Sequence, residues 1–242
     1  MSFKPETKSK LVLVILAHPD DETAMGAALA NYAVQNKVYY IVATDGRYGT
    51  RANKIAEDTL INIRKAECEC SCSHLGIDSL IMLGFHDGIG VNTGIGEYFR
   101  QSKKLKETLK EKILELNPDF IITFGPDGDT GHGDHRIIGD ITTEIILEQG
   151  WYERFPIYYM AWSKEQDEGE EVNYVDSKYF NVTIRYEEED EKKAIESIKC
   201  YKSQNTPEEI EDWVNAMKKD TTNVSYFRKL AVATGNKSGF SE

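Results

Sequence analysis

A histidine and two aspartates follow the first strongly apolar run of the sequence. His18, Asp20 and Asp21 come directly after Leu11–Ala17, a run typical of a strand buried on both faces. An imidazole and carboxylates held near one point suit a divalent metal, with zinc the leading choice. Either aspartate would equally suit the N-cap of a following helix. This cluster alone therefore leaves a metal site and a helix cap equally open.

A second polar cluster favours the metal site over the helix cap. His132, Asp134 and His135 lie in the segment Gly-His-Gly-Asp-His, which again follows a predicted strand and opens a predicted helix. A polar helix start explains one such cluster, but not two at separate strand ends. Two histidines and one carboxylate make a three-ligand catalytic zinc set that leaves a position for water. A nearby carboxylate can take the proton of that water, and a second histidine can donate to the developing oxyanion.

Strands and helices alternate over the first 150 residues, as in βαβ units with a parallel sheet and right-handed crossovers. The predicted strands are Leu11–Ala17, Tyr39–Thr44, Leu80–Leu83 and Phe120–Phe124, and the predicted helices are Thr23–Gln35, Asp58–Leu75, Glu97–Leu116 and Gly133–Gln149. Ligands of such sheets bind outside the carboxyl ends of the strands. Four polar segments fall at such ends and would line one crevice: His18–Glu22, Asp45–Arg51, Gly84–Gly90 and Gly125–His135.

Further elements are predicted beyond Gly150: strands at Ile157–Trp162 and Lys178–Thr183, and helices at Glu188–Tyr201 and Pro207–Met217. The chain of 242 residues is long enough for one α/β domain and short for two. We therefore expect a single α/β domain over residues 1–242, with a Rossmann-like, mostly parallel sheet and helices on both faces. Residues 1–150 would form the core with the metal site, and residues 151–242 would add strands and helices to the same domain.

Charge and composition exclude some classes of binding partner. The net charge of −12 repels phosphate backbones and anionic lipid heads, so we expect no nucleic-acid and no membrane partner. The first apolar run is too short to span a membrane and no small-residue cleavage site follows it, which predicts a cytoplasmic protein. Cys68, Cys70 and Cys72 lack the spacing of a zinc knuckle, and we interpret them as small helical residues of a reduced protein.

The two clusters together resemble the LmbE-like, or PIG-L, family of zinc-dependent N-deacetylases. The resemblance rests on Ala-His-Pro-Asp-Asp-Glu at residues 17–22 and on the later Gly-His-x-Asp-His, and it covers roughly the first 150 residues. It implies one zinc ion per active site, bound by His18, Asp21 and His135. Known members of the family include deacetylases of N-acetylglucosaminyl conjugates.

Catalytic roles follow from the same resemblance. Asp20 would be the general base and later the acid that protonates the leaving amine. His132 would stabilise the oxyanion, and Asp134 would orient or tune His132 as an outer carboxylate can.

Three residues are candidate substrate contacts. The family has Arg-x-x-Glu before the third strand, here starting at Arg64, which would bind sugar hydroxyls; it is equally well explained as half of a surface ion pair with Glu67. Asp87 would also hold the sugar, although it equally suits a turn before Gly88. Arg51, in the glycine-rich loop after the second strand, is the third candidate.

Two positions depart from the family pattern. Arg47 stands where many members have an acidic residue, and Thr130 stands where some members have a tyrosine two residues before the oxyanion histidine. Both departures fall where the substrate would be recognised, so the substrate is the least determined part of the prediction. The aromatic residues Trp151, Tyr152, Tyr158, Tyr159 and Trp162 could stack on a sugar, but such clusters are more often core or interface.

The expected activity is removal of an N-acetyl group from an N-acetylglucosamine-type conjugate, with release of acetate and a free amine. The alternatives are a zinc amidase acting on another N-acylated small molecule and a non-catalytic sugar- or nucleotide-binding α/β protein. No G-x-G-x-x-G follows the first strand, which disfavours a dinucleotide site. The resemblance also implies a possible homo-oligomer, a trimer or a hexamer.

Overall fold

One sheet of seven strands runs through the protein. The structure is a computed structural model that describes residues 9–49, 54–89, 94–166, 172–235 and 238. The strands are β1 (Leu11–Leu16), β2 (Lys37–Thr44), β3 (Ser79–Phe85), β4 (Phe120–Thr123), β5 (Ile157–Ala161), β6 (Val182–Arg185) and β7 (Val224–Lys229). Their order in the sheet is β3-β2-β1-β4-β5-β7-β6, so strands from both halves of the chain belong to one sheet.

Most of the sheet is parallel, which confirms the predicted fold class. β3, β2, β1, β4 and β5 pair in parallel, whereas β7 pairs antiparallel with both β5 and β6. The chain leaves β1 toward β2 on one side and later returns to β4 on the other side. The carboxyl end of β1 is therefore the switch point at which open α/β sheets bind ligands.

Six helices connect these strands within the described residues. They are α1 (Gly26–Ala33), α2 (Glu57–Leu75), α3 (Ile95–Leu116), α4 (Gly133–Glu148), α5 (Glu188–Ile198) and α6 (Pro207–Lys219). α1, α2 and α5 pack against one another, and α3 packs against α4. Because crossovers are right-handed and the chain reverses direction across β1, these two groups cover opposite faces of the sheet.

The central strand is buried from its second residue onward, because helices cover both of its faces. Val12–Ala17 have no exposed surface, and Val38 and Tyr40–Ala43 of the neighbouring strand are equally buried. Continuous apolar runs of this kind are typical of parallel strands in the middle of a sheet. The rigid β1 holds the residues that follow it in a fixed place.

The structure departs from the predicted elements in three places. A 3-10 turn over Asp21–Met25 precedes α1, so the first helix starts later than predicted. The predicted strand Lys178–Thr183 is wrong in its bounds, because Ser177–Tyr179 form a 3-10 turn and the strand is Val182–Arg185. β7 was not predicted, because its alternation of polar and aromatic residues gives a weaker signal than the buried parallel strands.

The cysteines also differ from the expectation of reduced small residues. Cys70 on α2 forms a disulfide with Cys200, just beyond α5, whereas Cys68 and Cys72 are buried free thiols. The partner lies 130 residues away in sequence, so spacing within the first cluster could not indicate it. None of the described helices combines the length and the apolar character needed to cross a membrane.

Candidate metal centre and catalytic residues

Asp21 is fixed by the backbone at the end of β1. Its Oδ2 accepts hydrogen bonds from the backbone N–H groups of Ala17 at 2.9 Å and His18 at 2.7 Å. Its Oδ1 lies 3.1 Å from His135 Nε2 and 3.7 Å from His18 Nδ1. Burial alone would raise the pKa of Asp21, but His135 and His18 hold this pKa well below its ordinary value. The carboxylate is therefore anionic and points one oxygen between two imidazoles.

His18 is held from its other side by two buried carboxylates. Its Nε2 lies 3.3 Å from Asp87 Oδ1 and 3.4 Å from Asp134 Oδ2, while Nδ1 faces Asp21. Metal-binding histidines usually donate their second ring N–H to such a carboxylate. The arrangement assigns a proton to Nε2, and Nδ1 is the nitrogen that faces Asp21. Burial acts to lower the pKa of His18, but Asp134, Asp21 and Asp87 hold this pKa well above its ordinary value.

His135 is oriented in the same manner. Its Nδ1 lies 3.1 Å from the carbonyl oxygen of Gly128, and because a carbonyl only accepts, this nitrogen carries the proton. Nε2 faces Asp21; burial acts to lower the pKa of His135, but the Asp21 carboxylate raises it above its ordinary value. The ring also stacks on Phe124, with a centroid distance of 4.1 Å and planes 3° apart. His18, Asp21 and His135 thus present three convergent donor atoms.

A carboxylate that sequence reasoning missed lies behind His135. Asp129 Oδ2 is 3.9 Å from His135 Nδ1, and Asp129 Oδ1 accepts a hydrogen bond of 2.5 Å from Trp162 Nε1. Burial raises the pKa of Asp129 to about 6. Its backbone φ of 59° is unusual for a residue other than glycine. The only sequence signal was its place in the loop after β4.

His132 is the N-cap of α4. Its Nδ1 accepts a hydrogen bond of 3.2 Å from the backbone N–H of Asp134. Burial, together with His18 and His135 nearby, lowers the pKa of His132, so the ring is neutral and carries its proton on Nε2. One ring nitrogen from each of the three histidines lies within 4.8 Å of the corresponding nitrogens of the other two. His132 therefore offers an N–H donor beside the predicted metal ligands.

Asp134 orients this site differently from the prediction. The hydrogen bond between Asp134 and His132 runs through the Asp134 backbone, whereas its carboxylate lies against His18 and accepts from the Gly88 N–H at 2.8 Å. Burial acts to raise the pKa of Asp134, but contact with His18 keeps it below its ordinary value. Asp87, predicted to hold the sugar, shares the contact with His18.

Asp20 occupies a strained backbone position next to Asp21. Its φ is 116°, which turns its carboxylate away from that of its neighbour and toward Arg64, whose Nη2 lies 3.3 Å from Asp20 Oδ1. Burial raises the pKa of Asp20, and Arg64 only partly opposes this effect. The two adjacent aspartates therefore have separate environments, as their different predicted roles require.

Arg64, a predicted substrate contact, is almost completely buried. It is 1% exposed, and its guanidinium donates to the Pro19 carbonyl and to Gln204 Oε1 as well as pairing with Asp20. Glycine makes room for it: a Cβ at Gly46 would lie 2.6 Å from Arg64 Nε. The structure thus brings Arg64 to the predicted base rather than to an open surface.

Glu67, the last residue of the Arg-x-x-Glu motif, fixes the segment after α5. Glu67 accepts two hydrogen bonds of 2.7 Å from the backbone N–H and the hydroxyl of Ser203. Glu22, next to Asp21, is fully buried and accepts hydrogen bonds from Ser71 and Tyr201. α2 and the segment after α5 therefore support the loop that carries the candidate site.

The loop after β2 is described only in part. Arg47 pairs with the buried Asp45 at 2.6 Å, and the Tyr48 N–H donates to Asp87 Oδ2 at 3.1 Å. The departure at Arg47 thus serves an internal ion pair of this loop. Arg51, a predicted substrate contact, lies outside the described residues.

Comparison with known proteins agrees with the resemblance. Residues 13–146 match the family model described as PIG-L, GlcNAc-PI de-N-acetylase. A probable N-acetyl-alpha-D-glucosaminyl L-malate deacetylase 2 of Bacillus cereus is 32% identical over 161 residues, which cover 64% of this chain and 70% of the relative. A 1D-myo-inositol 2-acetamido-2-deoxy-alpha-D-glucopyranoside deacetylase of Corynebacterium glutamicum is 32% identical over 163 residues, or 61% of this chain and 56% of the relative.

Solved structures share the fold over nearly the whole chain. An N,N'-diacetylchitobiose deacetylase from Pyrococcus horikoshii aligns with a TM-score of 0.69 and 19% identity, covering 92% of this chain and 84% of the other. A zinc-inhibited form of a teicoplanin deacetylase aligns with a TM-score of 0.67 and 15% identity, covering 90% of this chain and 97% of the other. The matched family segment contains both polar clusters, and this chain belongs to the PIG-L family of N-deacetylases.

Proposed function

We propose that this protein is a zinc-dependent hydrolase that removes the acetyl group from an N-acetylglucosamine-type conjugate and releases acetate and a free amine. The observation that carries this proposal is the convergence of His18 Nδ1, Asp21 Oδ1 and His135 Nε2 beside two unlike groups, Asp20 and His132. The family relatives named above support the choice of an N-acetylated glucosamine.

The donor set fits a divalent cation. One buried carboxylate and two imidazole nitrogens are the ligands of a catalytic zinc site, and each imidazole has its other nitrogen fixed by an acceptor. The metal would take the place of the proton on each nitrogen that faces Asp21. His18, Asp21 and His135 would hold the metal. A bound zinc ion would polarise the acetyl carbonyl and lower the pKa of a coordinated water toward about 7.

Asp20 takes the proton from the attacking water. Its raised pKa makes it a stronger base than an ordinary aspartate, and its pairing with Arg64 fixes the direction of the carboxylate. The water oxygen forms a bond to the acetyl carbon, and the C–N bond then breaks. The proton held by Asp20 passes to the leaving nitrogen, so that a neutral amine and acetic acid form, and the acid then loses its remaining hydroxyl proton to solvent to give acetate.

His132 stabilises the negative charge that develops on the acetyl oxygen. The Asp134 N–H occupies Nδ1, so the Nε2 proton is available to donate a hydrogen bond from a fixed ring. Its lowered pKa means that the ring reacts as a neutral donor near neutral pH.

Bound metal and acetate release from methyl N-acetylglucosaminide test this assignment together. We expect Asp20→Asn to keep its metal and fold, because asparagine tolerates positive φ, but to lose about 100-fold or more in kcat. Asp140→Asn, which removes an exposed carboxylate elsewhere on α4, is the matched control and should retain activity. Full activity in Asp20→Asn would show that the base is another group. If no metal-dependent acetate release occurred from any glucosaminide, the proposed function would be wrong.

A further inference from the structure

The part of the chain beyond the matched family segment contributes most of the wall of a cavity of about 330 Å³ next to the candidate site. Cavities that hold small molecules start at about 300 Å³, so this one has the size of a ligand subsite. Resting on the function proposed above, we propose that it receives an uncharged, apolar group attached to the sugar: the aglycone of the N-acetylglucosaminide.

The cavity borders residues that lie next to the candidate site. Its inner wall includes Thr23, Asp129 and Thr130. Thr23 donates to the Asp20 carbonyl through both its N–H, at 2.9 Å, and its hydroxyl, at 2.7 Å. Thr130 comes two residues before His132 in sequence. The cavity therefore adjoins the candidate site through residues that contact Asp20 and His135.

The lining favours an apolar and uncharged occupant. Met160, Trp162, Met217 and Tyr226 form much of the wall, and no lysine, arginine or histidine lies among its described lining residues. The two charged side chains in the wall, Asp129 and Asp220, are acids. A carboxylate-bearing group such as malate would be repelled there.

Trp162 is held in place as part of this wall. Its indole N–H donates to Asp129, so the ring cannot turn away from the boundary between the cavity and His135. A fixed aromatic ring offers a large apolar surface without losing conformational freedom when a ligand binds.

α6 covers the cavity with an apolar side that the protein does not bury. Of its 13 residues, all described by the structure, only Val214 is buried. Trp213 is 40% exposed, and it lines the cavity together with Ala216 and Met217. Apolar surface left at the rim of a cavity is stabilised when an apolar ligand covers it.

The aglycone is favoured over a longer acyl chain as the occupant. The relatives named above are both deacetylases, and the names differ in what the sugar carries, malate in one and inositol in the other. The variable part of the substrate is thus the group on the sugar. In this chain most residues of the cavity wall lie outside the matched family segment, and most of those are apolar.

Alkyl N-acetylglucosaminides with methyl, butyl and hexyl groups test the proposal. Each methylene that becomes buried favours binding by up to about fourfold. Burial of only part of the hexyl chain is therefore enough to raise kcat/KM by at least about tenfold over the methyl compound. N-hexanoylglucosamine methyl glycoside, with the chain on the acyl side, should show no such gain. A gain for that compound instead would assign the cavity to the acyl group and overturn the proposal.

A cavity-filling variant locates the effect. Ala216→Phe places a ring into the cavity from an exposed helix position, so we expect the protein to fold and to hydrolyse the methyl compound normally but to lose the hexyl advantage. Asp212→Phe adds the same ring to an exposed position on α6 that does not line the cavity, and it should keep the advantage. Equal loss in both variants would contradict the assignment.

Calorimetric binding of hexyl glucosaminide, the deacetylated product, separates this proposal from the proposed function. If the methyl compound is hydrolysed but hexyl brings no gain in kcat/KM or in product affinity, the cavity proposal is wrong and the deacetylase stands. The opposite outcome has two parts: no acetate is released, and hexyl glucosaminide binds at least about tenfold more tightly than the methyl form in the wild type but not in Ala216→Phe. In that case the proposed deacetylase function is wrong and the cavity proposal stands.

Discussion

Each histidine of the candidate site has one ring nitrogen fixed by a partner that does not react. The carboxylates of Asp87 and Asp134 hold His18, the Gly128 carbonyl holds His135, and the Asp134 N–H holds the ring of His132. The partner of His132 is a donor, whereas those of the other two are acceptors. These partners suit two of the imidazoles to the predicted role of metal ligand and the third to that of hydrogen-bond donor.

The predicted role of His132 depends on the proton at its Nε2, and a substitution can test this role. His132→Asn keeps a side chain that caps helices well, so α4 should remain stable, but it removes the Nε2 donor. We expect kcat to fall about 100- to 1,000-fold while KM and metal content change little, because the lost hydrogen bond matters mainly in the transition state. Acetate-release kinetics and the melting temperature measure the two effects separately. Unchanged kcat would show that another group stabilises the oxyanion.

Residue types and spacing predicted which side chains meet, but not which atoms. His18, Asp21 and His135 follow strands that are neighbours in the sheet, and strand order is a regular property of the fold. The burial of Arg64 could not be predicted, because it depends on Gly46 and on Gln204, which lies 140 residues away. The place of Asp129 depends in the same way on Trp162, whose neighbours only the folded chain determines.

At the scale of elements, α4 must lie close against the end of β4 to deliver its two histidines. Gly139 is one turn beyond His135, and a Cβ there would approach the Phe124 backbone, with its carbonyl carbon at 3.0 Å. Phe124 is also the ring on which His135 stacks. Glycine at this position therefore sets the distance between the helix and the strand that together position His135.

Gly139→Ala should for this reason disturb the site from a distance. We expect a loss of about 1–3 kcal/mol in the free energy of unfolding and weaker metal binding, because the helix must move outward to fit the methyl group. Gly96→Ala on α3 is the matched control, because no atom lies within 4 Å of its Cβ, and it should be neutral or slightly stabilising. Chemical denaturation and metal titration measure both variants. Equal metal affinity in both would mean that the close packing does not position His135.

The elements differ in how strongly the sequence indicates them. β1 and β2 are continuous apolar runs, and Gly76 ends α2 in the left-handed conformation that favours glycine, so local pattern is sufficient there. β7 contains both polar and apolar residues, and it forms a strand because it pairs with β5 and β6. Such pairing is a tertiary effect that no local window contains.

Across the whole molecule, the candidate site gathers negative charge in a chain that is already acidic. Asp21, Asp87 and Asp134 are all buried around His18, and the net charge is −12. Buried carboxylates are costly unless paired with positive charge. A divalent cation would supply that charge where the three donor atoms converge, so metal binding should stabilise the folded protein as well as enable the reaction.

Metal removal should therefore lower both activity and thermal stability. Zinc at about 100 times its dissociation constant contributes about 2.7 kcal/mol, which raises the melting temperature of a chain of this size by about 5–10 °C. We expect chelation to abolish acetate release and to reverse that shift, and added zinc to restore both. His135→Gln, which removes one donor, should show a much smaller shift on addition of zinc, whatever its own melting temperature. A full shift in His135→Gln would place the stabilising metal away from the site at the end of β1, because ligand binding stabilises the native state only through the residues that hold the ligand.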